Sequence, residues 1–478
     1  MSIGYIGKER EYGGEQPYCG GILKLRLPFL HYGIDIQSMA QGAVLACTHF
    51  GALVVMMATL GIPEHIAMFM VAVNGSYYLW HTSFGDPGIA GWITAGIPLY
   101  ITYLSAYAPG IERMHAMIAF QALVAIVFVI LGVTGLAKWV IQHFPISLRS
   151  GILLAAGMAS LLRIFDPKQP FFSQYPISFT IGLLFSFYIL FSTQALKYRK
   201  KHNWFKWMAG WGIVPGYAIG YIVGIFANEI TFPTMAQLSE KFFISAPIGE
   251  MFRTITPWGI GWPGAEAWIA GFSMAIVAYV LAFGDMLVIQ AMVKEVNDAQ
   301  PDENVIYDPT RNHLITAWRN ILEICSMPYV VLAGPIWAGA AAVVVNRSMH
   351  ADRKELDSYW SSANSFNIGA LVLFCSPIAL ILLPAKIIGF GITLALQGYL
   401  CVYIAYDMCT NNVQRGIAGT MAGCIMAANF TYISPIMSGP SLGLVCGIVL
   451  WAMLRPEDDS PHILEQKKLA AERAKANE

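Results

Sequence analysis

Apolar stretches of roughly 17–25 residues recur along almost all of this 478-residue chain, each long enough to cross a bilayer as a helix. In lipid, backbone N–H and C=O groups have no water to bind, so such stretches satisfy them internally by folding as helices. Composition agrees: 56% of the residues are hydrophobic and 12% charged, against about 25% charged in a soluble domain. The chain is therefore expected to be an all-α polytopic integral membrane protein. The first long apolar run follows about thirty polar, Gly-rich residues, which argues against a leader peptide.

We count about fourteen segments. Seven lie near 38–60, 64–84, 88–107, 113–139, 148–165, 176–196 and 206–228. Seven more lie near 266–293, 312–327, 335–346, 362–384, 386–407, 414–431 and 434–454. This predicts an N-terminal segment over 1–37, a first repeat over 38–228, an extracytoplasmic connection over 229–264, a second repeat over 265–454 and a charged tail over 455–478. Positive charge follows the same scheme. Lys8, Arg10, Lys24 and Arg26 precede the first span. Arg149, Lys197–Lys201, Lys294, Arg311, Arg347, Arg353, Lys354 and Arg415 fall in even-numbered loops, and Lys467, Lys468 and Arg473 in the tail. Fewer basic residues, chiefly Arg113, Arg163, Lys168 and Lys386, fall in odd-numbered loops. Both termini are thus expected in the cytoplasm, with the protein in the plasma (inner) membrane. Because seven is odd, the second set enters the membrane from the opposite side, as in an inverted repeat.

The two sets are interrupted alike. The third segment opens with Asp86-Pro87-Gly88-Ile89-Ala90-Gly91-Trp92, the tenth with Ala333-Gly334-Pro335-Ile336-Trp337-Ala338-Gly339. Paired Gly/Pro breaks point to a transporter's central binding site, because a helix that begins inside the membrane leaves N–H groups and partial positive charge for a solute. The alternative is two Pro-kinked spanning helices. The expected substrate-binding residues are Gly88, Ile89, Ala90, Thr94, Ile336, Trp337 and Ala338, with Trp92 and Trp337 available to stack on a planar solute. Asp285 lies within the apolar run 276–290 and joins the set as a substrate or ion ligand; its alternative is a pairing with Lys294 or Arg319. His49 and Glu323 are further candidates for ion coupling, and His49 equally reads as a hydrogen-bonded structural histidine. Gln397 and Asn429 read as interhelical hydrogen-bond partners, and Asp407 as a helix end.

Several stretches carry a family likeness. Phe144-Pro145-Ile146-Ser147-Leu148-Arg149-Ser150-Gly151-Ile152, Ala278 through Val288, and Leu383-Pro384-Ala385-Lys386-Ile387-Ile388-Gly389-Phe390-Gly391 resemble the fifth, eighth and twelfth helices of the xanthine/uracil permeases. These nucleobase–cation symporters share a fold superfamily with the sulfate permeases. The resemblance implies two intertwined seven-helix repeats and a core domain of segments 1–4 and 8–11. A gate domain would comprise segments 5–7 and 12–14, with half-helices at segments 3 and 10, an elevator or rocking motion, and commonly a homodimer. The chain departs from the family where substrate is gripped. Leu281 and Ala282 stand where the eighth helix usually carries a carboxylate, with Asp285 following Gly284; Val44-Leu45 replaces a Gln-His pair; and the tenth segment lacks an acid at its start.

The expected function is secondary active transport of a small planar polar metabolite, a purine or pyrimidine base among them, coupled to H⁺ or Na⁺. An anion transporter or exchanger closer to the sulfate permeases is the first alternative, and a channel-like or signalling membrane protein the second. No phosphate-binding Walker loop and no metal-ligand spacing of His or Cys is present, so the chain is not expected to be an enzyme or to hold a cofactor. The eight cysteines, mostly in apolar segments, read as small buried hydrophobes. The expected partners are the small-molecule substrate, the lipid bilayer and a second copy of the chain, not nucleic acid.

Overall fold

The computed structural model of the chain describes residues 2–3, 10–21, 23–167, 169–427 and 439–456. Lys8, Lys168, Asn429, the junction of the last two expected spans and the tail beyond Pro456 lie outside the described residues. The principal elements are strands β1 (Ser2–Ile3) and β2 (Ile34–Asp35), then helices α1 (Ile36–Ala46), α2 (Phe50–Leu60), α3 (Glu64–Tyr77) and α4 (Leu79–Ser83). They continue with β3 (Gly91–Trp92), α5 (Ile97–Ser105), α6 (Ile111–Val133), α7 (Ile146–Phe165), α8 (Pro176–Phe191), α9 (Thr193–Lys201), α10 (Asn203–Gly210) and α11 (Val214–Phe226). The long α12 (Ala265–Ala299), α13 (Pro309–Ser326), β4 (Ala333–Gly334), α14 (Ala338–His350) and α15 (Tyr359–Gly369) follow. The last are α16 (Ser376–Leu382), α17 (Lys386–Met408), α18 (Asn412–Ala427) and α19 (Gly439–Leu454).

Among the described residues, five helical stretches are long and apolar enough to cross a membrane, or seven if each of two bent pairs is one span. The bent pairs are α8 with α9, turning 63°, and α10 with α11, turning 81°. Three boundaries differ from the sequence expectation. The eleventh and twelfth segments do not part near 384–386, because the apolar stretch from Ser376 to Met408 passes through a 3-10 turn at Leu383–Ala385. The break comes at Cys375 instead, where Pro377 starts a helix and residue 375 bridges to Phe243. The fourth segment stops at Val133, and Gly135 in a left-handed turn begins a separate short helix, Leu136–His143. The eighth runs on to Ala299.

Contacts group the chain into two compact units, Met1–Gly132 with Pro167–Thr393, and Val133–Asp166 with Leu394–Glu478. The sixth and seventh expected segments therefore belong with the first unit, not with the fifth. The reason is a set of hydrogen bonds at both ends of α10 and α11. Gln37 and Gln41 of α1 donate to the carbonyls of Trp207 and Gly210, while the Tyr217 and Tyr221 hydroxyls donate to Leu382 and Ile381. Small residues bring α8 and α11 together, with Gly182 against Gly216 and Gly220. Helix α15, rich in Ser and Asn, lies fully inside this unit and crosses α1 at Gly42 and Gly369. Its hydroxyls are used, since Ser361 donates to the Gly33 carbonyl, Ser362 pairs with Ser38, and Ser365 accepts from the Asp35 N–H.

In the second unit α7, α18 and α19 enclose Leu148, Ile417 and Met421, with Met421 seated against Gly151 and Gly447. The Ser150 hydroxyl donates to the Ala405 carbonyl at 2.6 Å.

Candidate functional site

The two interrupted stretches meet inside the first unit. Strands β3 and β4 pair antiparallel, Gly91 opposite Gly334 and Trp92 opposite Ala333. Flanking bonds extend the pairing: Ile93 N–H donates to Leu332 O at 3.2 Å and Trp337 N–H to Ile89 O at 2.6 Å. Glycine is required at the centre. A Cβ on Gly91 would sit 2.6 Å from the Trp337 backbone nitrogen, and one on Gly334 would sit 2.7 Å from the Trp92 carbonyl carbon.

Two strands of two residues leave most of their backbone groups unpaired, and buried groups of that kind need partners. Helix α13 supplies them. Asn320 donates to the Ala333 carbonyl at 3.0 Å and accepts from the Ala333 N–H at 3.2 Å, acting as a strand edge. The Arg319 guanidinium, wholly buried, reaches the carbonyls of both strands, Gly334 at 3.0 Å and Gly91 at 3.4 Å. It also donates to His81 Nε2 at 3.4 Å, so the imidazole proton is on Nδ1 and is given to Asp86 at 2.5 Å. Asp86 accepts further bonds from Asn312 and from the Gly88 N–H. Arg311 donates to Gly85 O, and the Tyr359 hydroxyl to Pro87 O.

Below the crossing, Glu323 accepts from Asn74 at 2.8 Å and from Gln121 at 2.6 Å. Asn74 accepts from the Trp92 indole, and Gln121 from the Tyr329 N–H. His49 lies among the rings of Tyr78, Trp92 and Trp337, with centroids 4.8, 5.2 and 5.3 Å away, and neither of its nitrogens has a hydrogen-bond partner among the described residues. Helix α14 begins directly after the crossing, with Trp337 at its N-cap and no side-chain cap. The N–H groups of Ala338, Gly339 and Ala340 therefore form an open, partly positive end.

The structure sorts the sequence-derived residues. Gly88, Ile89 and Ala90 are not in a helical first turn: helix begins only with the 3-10 turn at Thr94–Gly96, and the Gly88 N–H is already bound by Asp86. The extended pairing at Gly91, Trp92 and Ile93 prevents an earlier start. Thr94 is exposed, its hydroxyl turned back to Trp92 O at 3.3 Å. The N–H of Trp337 is likewise spent on Ile89, so on this side the open donors start at Ala338; Ile336 is buried beside it. Trp92 and Trp337 pack on His49. Asp285 has no hydrogen bond or ion pair among the described residues: Lys294 pairs with Asp298, and Arg319 serves the strands. Asp285 lies near Tyr100 and one helical turn from Ile289, whose side chain meets Gly88.

Asp86, His81, Arg319, Asn312, Asn320, Asn74 and Gln121 were not assigned to the site from sequence. A signal existed, since Asn312, Thr316, Arg319, Asn320 and Glu323 form a polar stripe at helical spacing within an expected span.

No protein-family model matches the sequence, and no curated protein matches it significantly. Among solved structures the chain is similar to the murine Solute Carrier 26 family member A9 anion transporter in the inward-facing state, at 14% identity and a TM-score of 0.48 over 88% of this chain and 67% of that one. A structure of SLC26A9 scores 0.44 at 15% identity over 87% of this chain and 64% of that one. The transmembrane domain of a cyanobacterium bicarbonate transporter, BicA, scores 0.41 at 14% identity, over 87% and 96% of the two chains. The chain thus spans about two thirds of the length of the first two. At such scores and identities the functional reading rests on the chain's own geometry.

Proposed function

We propose that the protein is a cation-coupled secondary transporter of a small anion, which it binds at the crossing of β3 and β4. The observation that carries this reading is the pairing of two chain breaks deep in a helical membrane protein, followed by an uncapped helix N-terminus. Irregular backbone at membrane depth is tolerated where it is buried in protein or lines a cavity, and such sites recur where substrates bind. The open end of α14 provides donors and partial positive charge for an anion.

Two carboxyl groups, Asp86 and Glu323, flank the Arg319 guanidinium, and a third, Asp285, lies apart near Tyr100. Asp86 and Glu323 are saturated by donors, whereas Asp285 is not. H⁺ or Na⁺ at Asp285 would offset its charge beside an incoming anion, which gives a physical basis for coupling. A planar polar metabolite is the second reading, favoured by His49, which lies between two indoles and has no hydrogen-bond partner among the described residues.

Uptake by purified protein in liposomes tests both readings, with labelled bicarbonate, sulfate, a dicarboxylate, uracil and xanthine under imposed H⁺ or Na⁺ gradients. Anion accumulation that collapses with an ionophore supports the first reading, and accumulation of a base alone would transfer support to the second. Flux indifferent to every gradient would sink coupled transport.

A further inference from the structure

Away from the crossing, a cavity of about 520 Å³ opens where α9, α10 and the C-terminal end of α14 come together. Four cationic side chains line it, Arg199, Lys200, Lys206 and Arg347, against two carboxylates, Asp352 and Glu355. The acids are already taken. Lys206 pairs with both, and Arg347 reaches Glu355 at 3.6 Å besides holding the buried Asp35 at 3.3 Å. Arg199 and Lys200 are left with no counter-ion among the described residues.

Arg199 is the informative member. One of its terminal nitrogens donates to the Ile189 carbonyl at 2.6 Å, which fixes the guanidinium. It also stands close enough to Arg347 for the two like charges to repel. A fixed guanidinium that lines the cavity together with another cation suits an oxyanion that bridges the two. The surroundings resemble a headgroup layer, for Trp204 and Trp207 are exposed on α10 and Lys197 and Lys201 flank Lys200 on α9.

We propose that this cavity is a binding site for a phosphate-bearing anion, gripped by Arg199 and Lys200 with Arg347 behind them. The phosphate belongs either to an anionic phospholipid headgroup or to a soluble phosphate ester. The site is separate from the transport reading and does not depend on it.

The test uses the full chain in phosphatidylcholine nanodiscs, with tryptophan fluorescence as the readout. One arm titrates glycerol 3-phosphate; the other compares nanodiscs with and without phosphatidylinositol 4-phosphate. Saturable binding in one arm is expected, weakened about tenfold or more in Arg199→Gln/Lys200→Gln. A response to glycerol 3-phosphate identifies a soluble ligand, and a response to the phosphoinositide alone identifies a lipid. Lys200→Gln, at an exposed position, guards against a folding failure of the double variant and is expected to weaken binding about threefold. No binding of either probe, or unchanged affinity in Lys200→Gln and in a monodisperse double variant, overturns the proposal.

Discussion

Gly91 and Gly334 face each other at a point where neither strand has room for a side chain. Gly334→Ala is expected to destabilise the protein by about 1–3 kcal/mol, as overpacking does, and to abolish uptake; thermal unfolding and liposome flux would check both. Arg319 carries carbonyls of both strands and the imidazole of His81, so Arg319→Met leaves buried acceptors unpaired. It should lower the unfolding temperature well beyond Gly334→Ala. Asp285→Asn breaks no hydrogen bond in this structure, so its unfolding temperature should stay near that of the parent while flux loses its response to the ion gradient. Retained ion dependence would remove Asp285 from the coupling role.

Elements show a second pattern, in which polar helices do the holding. The polar stripe of α13 substitutes for missing strand partners, and α15 spends its hydroxyls on α1 and β2. The N-terminal segment is tied down by a different device. Arg10 pairs with Asp302 and donates to the Asp357 carbonyl, while Arg353 donates to Asp302 and forms an ion pair with Glu303. Burial pushes the Asp302 carboxyl upward, but hydrogen bonds from Arg353 and Arg10 outweigh it and hold the group below its ordinary value. A depressed carboxyl stabilises the fold above its unfolded pKa, about 3.9, and loses that contribution as pH falls through the lower folded value. Hydrogen-exchange protection around residues 10–35, corrected for the intrinsic rate, should therefore fall on acidification below about pH 4, and Asp302→Asn should show the lower protection already at neutral pH.

For the whole molecule, the charge map makes a sided expectation. It puts Lys197–Lys201 and the region around Arg253 on opposite membrane faces. Trypsin added to right-side-out vesicles should cut at Lys241 or Arg253 and spare Lys200, with the reverse in inverted vesicles. Equal cutting from both sides would refute the orientation. Much of the layout was legible beforehand. The apolar runs locate α1 with α2, α6, α12 and the stretch from Ser376, and the Gly/Pro breaks locate β3 and β4. Less legible were the stop at Cys375 and the grouping of α8 and α11 with the first unit. Both depend on contacts distant in sequence, Phe243 with Cys375 and Gln37 with Trp207.

The sequence by itself determined that this chain folds as apolar helices and that two of its segments start with a matched interruption. Hydrophobic length and the backbone limits of Gly and Pro are local properties. Only the tertiary structure decided what the interruptions do. Gly88 and Trp337 give their N–H groups to Asp86 and Ile89, Arg319 and Asn320 clamp the crossing, and Asp285 has no polar partner among the described residues. Buried backbone groups are satisfied by whichever polar side chain the fold delivers, and no spacing along the chain records that delivery.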